Sequence, residues 1–274
     1  MTYQPDFYET FRCRASACGH SCCQGWEIDV DEAACARYAA LEGTLGERLR
    51  AAICRDEDGA HFRLTAEERC PFLMADGLCE IICRLGEAAL CDICALHPRF
   101  FVTLESDEIA GLGLSCEAVC DLLLRSEAPL RFIARETGET FSVPALLGRL
   151  GLRVPETSLR FDGAPLSAAY LVRMAETEPI DSAWTAESAR LRADWKRCPP
   201  LPTGARYDRM LQYILLRQLD RLEETGLAPL LAYARESTAY VAAQDALYGA
   251  RAEHLRRWSE QIEYSTENVE ILLS

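Results

Sequence analysis

Four cysteines fall within eleven residues near the start of the chain, spaced Cys13-x4-Cys18-x3-Cys22-Cys23. Of 14 cysteines in all, thirteen precede Leu122, with Cys70, Cys79, Cys83, Cys91, Cys94, Cys116 and Cys120 following the first run. A chain of 274 residues with 49% hydrophobic side chains buries a sizeable core without staples. The thiols therefore need a reason beyond folding. No basic segment followed by an apolar run opens the chain, and no stretch reaches the roughly 18 apolar residues of a membrane span. The expected compartment is the cytoplasm, where thiols stay reduced. There a cysteine array reads as a metal site and not as a disulfide framework.

Eight of these cysteines stand at expected turns or segment starts: Cys13, Cys18, Cys22, Cys23, Cys70, Cys79, Cys94 and Cys116. They are the candidate metal ligands. Eight sulfurs exceed one four-ligand centre, so either two sites exist or some of the eight only pack. Adjacent residues of extended chain point in opposite directions, so Cys22 and Cys23 are not expected to share one ion. Cys35 and Cys54 fall inside expected helices, where small buried thiols are common. Cys83, Cys91 and Cys120 are ambiguous for the same reason, although the spacing Cys91-x2-Cys94 suits two sulfurs gripping one metal from a single turn. Zn²⁺ and an iron–sulfur cluster both accept such sets, and spacing does not choose between them. His20, His61 and His97 are substitute ligands, with an ordinary surface histidine the first reading of each. His254 has no site around it in the sequence. A Walker loop and an H-E-x-x-H helix are both absent, and Gly111-x-Gly113 lacks the third glycine of a dinucleotide fingerprint.

The expected fold is mainly α-helical with small β-hairpins. A cysteine-rich, metal-centred region covers residues 1–128, and a helical region covers 129–274, with a Pro-rich linker near 197–204. The aromatic residues Tyr3, Phe7, Tyr8 and Phe11 are expected to pack over the first cysteines. Asp29 or Asp31 should cap a helix running to about Leu41, and a second helix is expected over Glu47–Cys54. Asp56 to Gly59 reads as a turn. Asp76-Gly77 supplies the tight turn of a hairpin that brings Cys70 and Cys79 to one end. A short helix from Glu80 should stop at Gly86. Strands are expected over Phe100–Leu104 and Ile109–Leu114, then a helix from Cys116 through Arg125. Tyr207, Met210, Leu211, Ile214, Leu215, Gln218, Leu219 and Leu222 form one stripe at helical spacing, with Arg209 and Arg217 assigned to the exposed side. Helices are expected over Arg206–Glu224, Pro229–Tyr248 and Arg251–Leu273.

The formal net charge is −14, of which residues 1–120 carry 10 Arg against 21 Asp plus Glu, or −11. Binding phosphates needs a basic face, so nucleic acid is not an expected partner. A cationic protein surface suits this segment better, as does a merely soluble acidic one.

The run Cys13-x4-Cys18-x3-Cys22-Cys23-x-Gly25-Trp26, the segment Cys70-Pro71-Phe72-Leu73…Asp76-Gly77-Leu78-Cys79, and Leu114-Ser115-Cys116 resemble the flagellin lysine-N-methylases, which are related to CxxCxxCC zinc- or iron-chelating proteins. The closing stretch Trp258-Ser259-Glu260-Gln261-Ile262-Glu263-Tyr264-Ser265-x2-Asn268 is similar to that family's C-terminal signature. The likeness is dense over 1–120 and again over about 206–274. Glu117, His97 and Tyr264 depart from the family pattern.

The resemblance implies transfer of methyl groups from S-adenosylmethionine to lysine side chains of flagellin. It also implies a [4Fe–4S] cluster held by some of the shared cysteines, with Zn²⁺ as the alternative metal. Arg99 is the candidate for the donor's carboxylate. The catalytic base is unassigned among Asp92, Glu27, Tyr8 and His97. Two rival readings are a non-catalytic zinc- or iron-chelating module and a redox cluster protein.

Overall fold

Met1–Phe11 form one compact unit with Pro98–Ser274, and Arg12–His97 form a second. The computed structural model describes residues 1–57 and 59–274. It is mainly α-helical with small sheets.

The larger unit contains strands β1 (Thr2–Pro5), β5 (Arg99–Leu104), β6 (Asp107–Leu112), β7 (Arg131–Ala134) and β8 (Thr140–Ser142), in the order β5-β6-β1-β7-β8. β1 runs parallel to β6 and antiparallel to β7, so the first residues of the chain are a central strand. Tyr3, Phe7, Tyr8 and Phe11 consequently belong to this unit's core with Tyr213, Trp258 and the helices, and not to the apolar cluster around the cysteines. The hairpin β5–β6 turns at Glu105-Ser106, with Glu105 at φ +51°, so β6 starts two residues before the expected strand. Gly111 lies opposite Phe100, and a methyl group there would meet the ring at 2.1 Å. Close packing explains this glycine without a nucleotide.

Helices complete the unit: α5 (Glu117–Arg125), α6 (Val143–Arg149), α7 (Ala168–Glu176), α8 (Ser182–Asp194), α9 (Ala205–Arg217), α10 (Leu222–Thr225), α11 (Leu227–Tyr248), α12 (Ala252–Ile262) and α13 (Thr266–Leu273). The stripe on α9 is buried as expected, but the helix breaks at Gln218 and does not run on to Glu224. Arg209 and Arg217, assigned to the exposed side, are both held inside. Arg209 donates to Leu123 O (2.7 Å) and Ala128 O (2.9 Å), and Arg217 pairs with buried Glu263 at 3.2 Å. The single expected C-terminal helix is two, because Ser265 caps α13 through Asn268 N. α11 is buried nearly all round between Ser237 and Asp245, the pattern of a central helix.

The closing stretch proves to be a latch within this unit. Gln261 accepts from Ile180 N (2.9 Å) and donates to Glu178 O (2.7 Å), while Asn268 accepts from Glu178 N (2.9 Å) and donates to Gln261 O (2.8 Å). Trp258 Nε1 donates to Tyr170 Oη at 3.2 Å. These side chains satisfy the backbone of the loop joining α7 to α8, which has no helical partners of its own. No helix among the described residues is long and apolar enough to cross a membrane.

The smaller unit holds strands β2 (Ile28–Asp29), β3 (Ile53–Arg55) and β4 (Ala60–Phe62) in the antiparallel order β2-β4-β3, with helices α1 (Glu32–Ala40), α2 (Gly43–Ala52), α3 (Glu80–Leu85) and α4 (Asp92–Leu96). The expected second helix is shifted. Ile53 to Arg55 leave it to pair with Ala60–Phe62, so Cys54 is on a strand and not in a helix. The turn expected at Asp56–Gly59 includes Asp58, which lies outside the described residues. α3 ends at Gly86 with φ +84°, as its sequence requires.

Candidate metal centre

The centre is built in the smaller unit from backbone pairing that the sequence only partly announces. Cys70 N donates to Cys23 O (2.8 Å) and Gly25 N to Glu68 O (2.9 Å), flanking an antiparallel bridge between Gln24 and Arg69. This sets Cys23 beside Cys70. A tight turn at Asp76-Gly77, with Gly77 at φ +81°, reverses the chain, and one bridge joins Leu73 to Cys79. The expected hairpin is thus a closed loop with a single ladder rung, and it returns Cys79 towards Cys70.

Helix α1 positions the third segment. Asp31 caps α1 by accepting from Ala34 N, and its second oxygen accepts from Asp92 N at the start of α4, both at 2.8 Å. Tyr38 Oη donates to Ala89 O (2.7 Å) and Arg37 to Leu90 O (2.8 Å). One helix therefore holds residues 89–92, and with them the Cys91-x2-Cys94 turn. The two amides hold the Asp31 carboxyl below the usual range, Asp92 N first and Ala34 N second. We expect Asp31→Ala to cost about 1–2 kcal/mol, measured by denaturant midpoint. Because the folded pKa is lowered, this contribution is complete above the ordinary carboxylate range. It is lost as pH falls through the folded value.

The result is a set of five thiols: Cys23, Cys70, Cys79, Cys91 and Cys94. Cys70 and Cys91 are buried in an apolar cluster with Tyr38, Phe62, Phe72 and Ile81, and the other three pack against it. The five sense one another electrostatically. Cys94 feels Cys91, Cys23 and Cys70, while Cys70 feels Cys23, Cys79 and Cys91. Burial pushes Cys70 up to about 12 and raises Cys79. A hydrogen bond between the Cys91 and Cys94 thiols holds Cys91 down and Cys94 up. Cys22 and Cys23 lie in a turn, not in extended chain, and their thiols are hydrogen-bonded to each other. That bond draws Cys23 down to about 7 against the effect of burial. Several sulfurs in apolar surroundings ionise together only with a cation among them. The donor set fits a thiolate-bound metal.

The remaining candidates stand elsewhere. Cys13 is exposed, its sulfur accepting from Ala15 N at 3.3 Å, and the Cys18 thiol donates to His20 O at 2.9 Å. Cys116 lies in the larger unit at the start of α5, where its neighbour is buried Cys120. Cys91 was not among the eight candidates. Its signal was the Cys-x2-Cys spacing, outweighed by the expectation of a helix-buried thiol.

Arg99 opens β5 in the larger unit. Its guanidinium carbon is 5.8 Å from the centroids of both Tyr8 and Phe11, and among the described residues no carboxylate pairs with it. Of the candidate bases, Asp92 is exposed beside Asp31, and Tyr8 is buried under Arg99. Burial holds His97 down to about 4, edge-on to Trp26 at 5.4 Å. Glu27 faces His61 at 3.5 Å. His254, which had no visible site, donates from Nδ1 to the buried Asp245 carboxylate at 2.7 Å.

The class that fold and site define is a mainly helical protein with a cysteine-rich unit and a gathered set of thiols. The family resemblance read from its motifs is borne out by known relatives. The chain is 31% identical to the lysine-N-methylases of Salmonella typhimurium and Salmonella choleraesuis over 127 residues, which is 44% of this chain and 32% of each of theirs. It is 28% identical over 164 residues to the flagellar biosynthetic protein FliU of Salmonella muenchen, 58% of this chain and 95% of that one. The match thus spans about a third of the length of the lysine-N-methylases. No family model matches the chain, and no solved structure matches it significantly.

Proposed function

We propose that this chain transfers methyl groups from S-adenosylmethionine to lysine side chains of flagellin and holds a [4Fe–4S] cluster on its gathered thiols. The observation that carries the reading is the convergence of Cys23, Cys70, Cys79, Cys91 and Cys94 from three separate segments. Relatives named as lysine-N-methylases supply the reaction class, and the flagellar name of another supplies the substrate. Zn²⁺ is the alternative metal for the same thiols.

In this reading the lysine nitrogen attacks the sulfonium methyl carbon, the carbon–sulfur bond breaks, and the thioether leaves. The amine must be neutral first, because an ammonium of pKa about 10.4 has no lone pair. The proton passes to a base or to water. Arg99, paired with no carboxylate among the described residues and flanked by two aromatic rings, is the proposed receiver of the donor's carboxylate. A bound cluster supplies Lewis-acidic iron. The acidic N-terminal segment suits a lysine-bearing substrate.

The test is direct. Anaerobically purified protein is incubated with S-adenosylmethionine and cognate flagellin, and flagellin mass is read. Stepwise methyl increments are expected, together with iron and acid-labile sulfide in the protein. An unchanged mass with the metal centre intact rejects the enzyme. Tightly held zinc without iron rejects the cluster.

A further inference from the structure

Three side chains that the thiol centre does not use meet on the outer face of the small sheet. β4 lies between β2 and β3, with His61 opposite Asp29 on one side and Cys54 on the other. The next residue, Phe62, faces the core with Ile28 and Ile53 as its partners. Side chains alternate along strands, so His61 points away from that core. Two residues before Asp29, Glu27 falls on the same face, and so does Asp56, two residues beyond Cys54. His61 Nδ1 is 3.5 Å from Glu27 Oε1 and 3.5 Å from Asp56 Oδ2, and one donor atom from each residue lies within 4.8 Å of the other two.

We propose that Glu27, Asp56 and His61 form a divalent transition-metal site, with Zn²⁺ the best-suited ion. Imidazole nitrogen and carboxylate oxygen are its ordinary donors. Ligands about 2.1 Å from a tetrahedral zinc stand about 3.4 Å apart, which matches the two nitrogen–oxygen separations here. Two carboxylates this close repel each other, and a cation between them relieves that. Arg63, just beyond β4, donates from Nε to Cys54 Sγ at 3.1 Å. Asp56 is held in place by Gly59 N, which donates to Oδ1 at 3.2 Å and leaves Oδ2 towards His61. The site clips the end of β3 to the start of β2 across β4. Its donors are oxygen and nitrogen, so it is chemically separate from the soft thiol set.

The experiment uses the 274-residue chain with its thiol-bound metal in place, titrated with Zn²⁺. Binding is followed by calorimetry and by imidazole nitrogen NMR, which has only 4 histidines to resolve. One further equivalent should bind and shift the His61 ring. His61→Ala should weaken it by about 100-fold or more, and the isosteric Glu27→Gln and Asp56→Asn by at least about tenfold. Metal already held by the thiols should not change in any variant. Equal zinc stoichiometry and affinity in all variants, or zinc uptake that leaves the His61 signals unmoved, overturns the proposal. The two isosteric variants keep it falsifiable should His61→Ala fail to fold.

Discussion

Cys91→Ala is expected to empty the metal centre, whereas Cys13→Ala is expected to leave it loaded. Cys91 is almost fully buried, hydrogen-bonded to Cys94 and within electrostatic reach of Cys70. Cys13 lies on exposed chain with its sulfur bound by a local amide. Removing a buried ligand leaves the other thiols in apolar surroundings without a full set of partners, and they revert to the protonated form. The readout is iron, sulfide and zinc content of each purified variant, with methyl transfer alongside. Loss of one ligand should lower transfer by at least about 100-fold. If Cys13→Ala emptied the centre and Cys91→Ala did not, the thiol set drawn above would be the wrong one.

Arg217→Met should destabilise the larger unit by about 3–5 kcal/mol, because it leaves Glu263 buried with no counter-charge. Arg217 lies against the Phe100 ring, its guanidinium carbon 4.7 Å from the centroid, and its ion pair with fully buried Glu263 spans 3.2 Å. The double variant Arg217→Met/Glu263→Leu should recover most of that loss, since an apolar pair of similar volume avoids the desolvation of both charges. The pH dependence follows from the direction of one shift. Burial raises the Glu263 carboxyl above its ordinary range even though Arg217 pulls it down. Folded protein therefore binds this proton more tightly than unfolded protein. Its contribution is complete below the unfolded pKa and declines as pH rises through the folded one. Without Arg217 the folded value rises further. The defect of Arg217→Met should accordingly be largest near neutrality and shrink on acidification. Chemical denaturation of the two variants at pH 5 and pH 7 measures both effects, and an equal loss at both pH values would refute the buried-charge account.

The helical stripe of α9, the cap at Asp31 and the stop at Gly86 were legible in the sequence because each depends on residues a few positions apart. The same local logic misled where distant partners decide. Arg209 and Arg217 lie off the apolar stripe, yet buried carbonyls and a buried carboxylate receive them. Cys54 sits at the end of a helical pattern, but pairing with β4 draws it into a strand. Glu27, Asp56 and His61 carry no motif. Only the register of three short strands brings them together.

By itself the sequence determined that this chain is mainly helical, that its N-terminal part is rich in cysteine, and which family its motifs resemble. Composition and short-range spacing carry all three. Tertiary structure alone decided that the first eleven residues join the C-terminal unit as a central strand, and which sulfurs meet. The reason is physical. The five thiols come from three segments brought together by backbone pairing and by one helix that holds residues 89–92, and of this the cysteine spacing showed only the local pairs, Cys70 with Cys79 and Cys91 with Cys94.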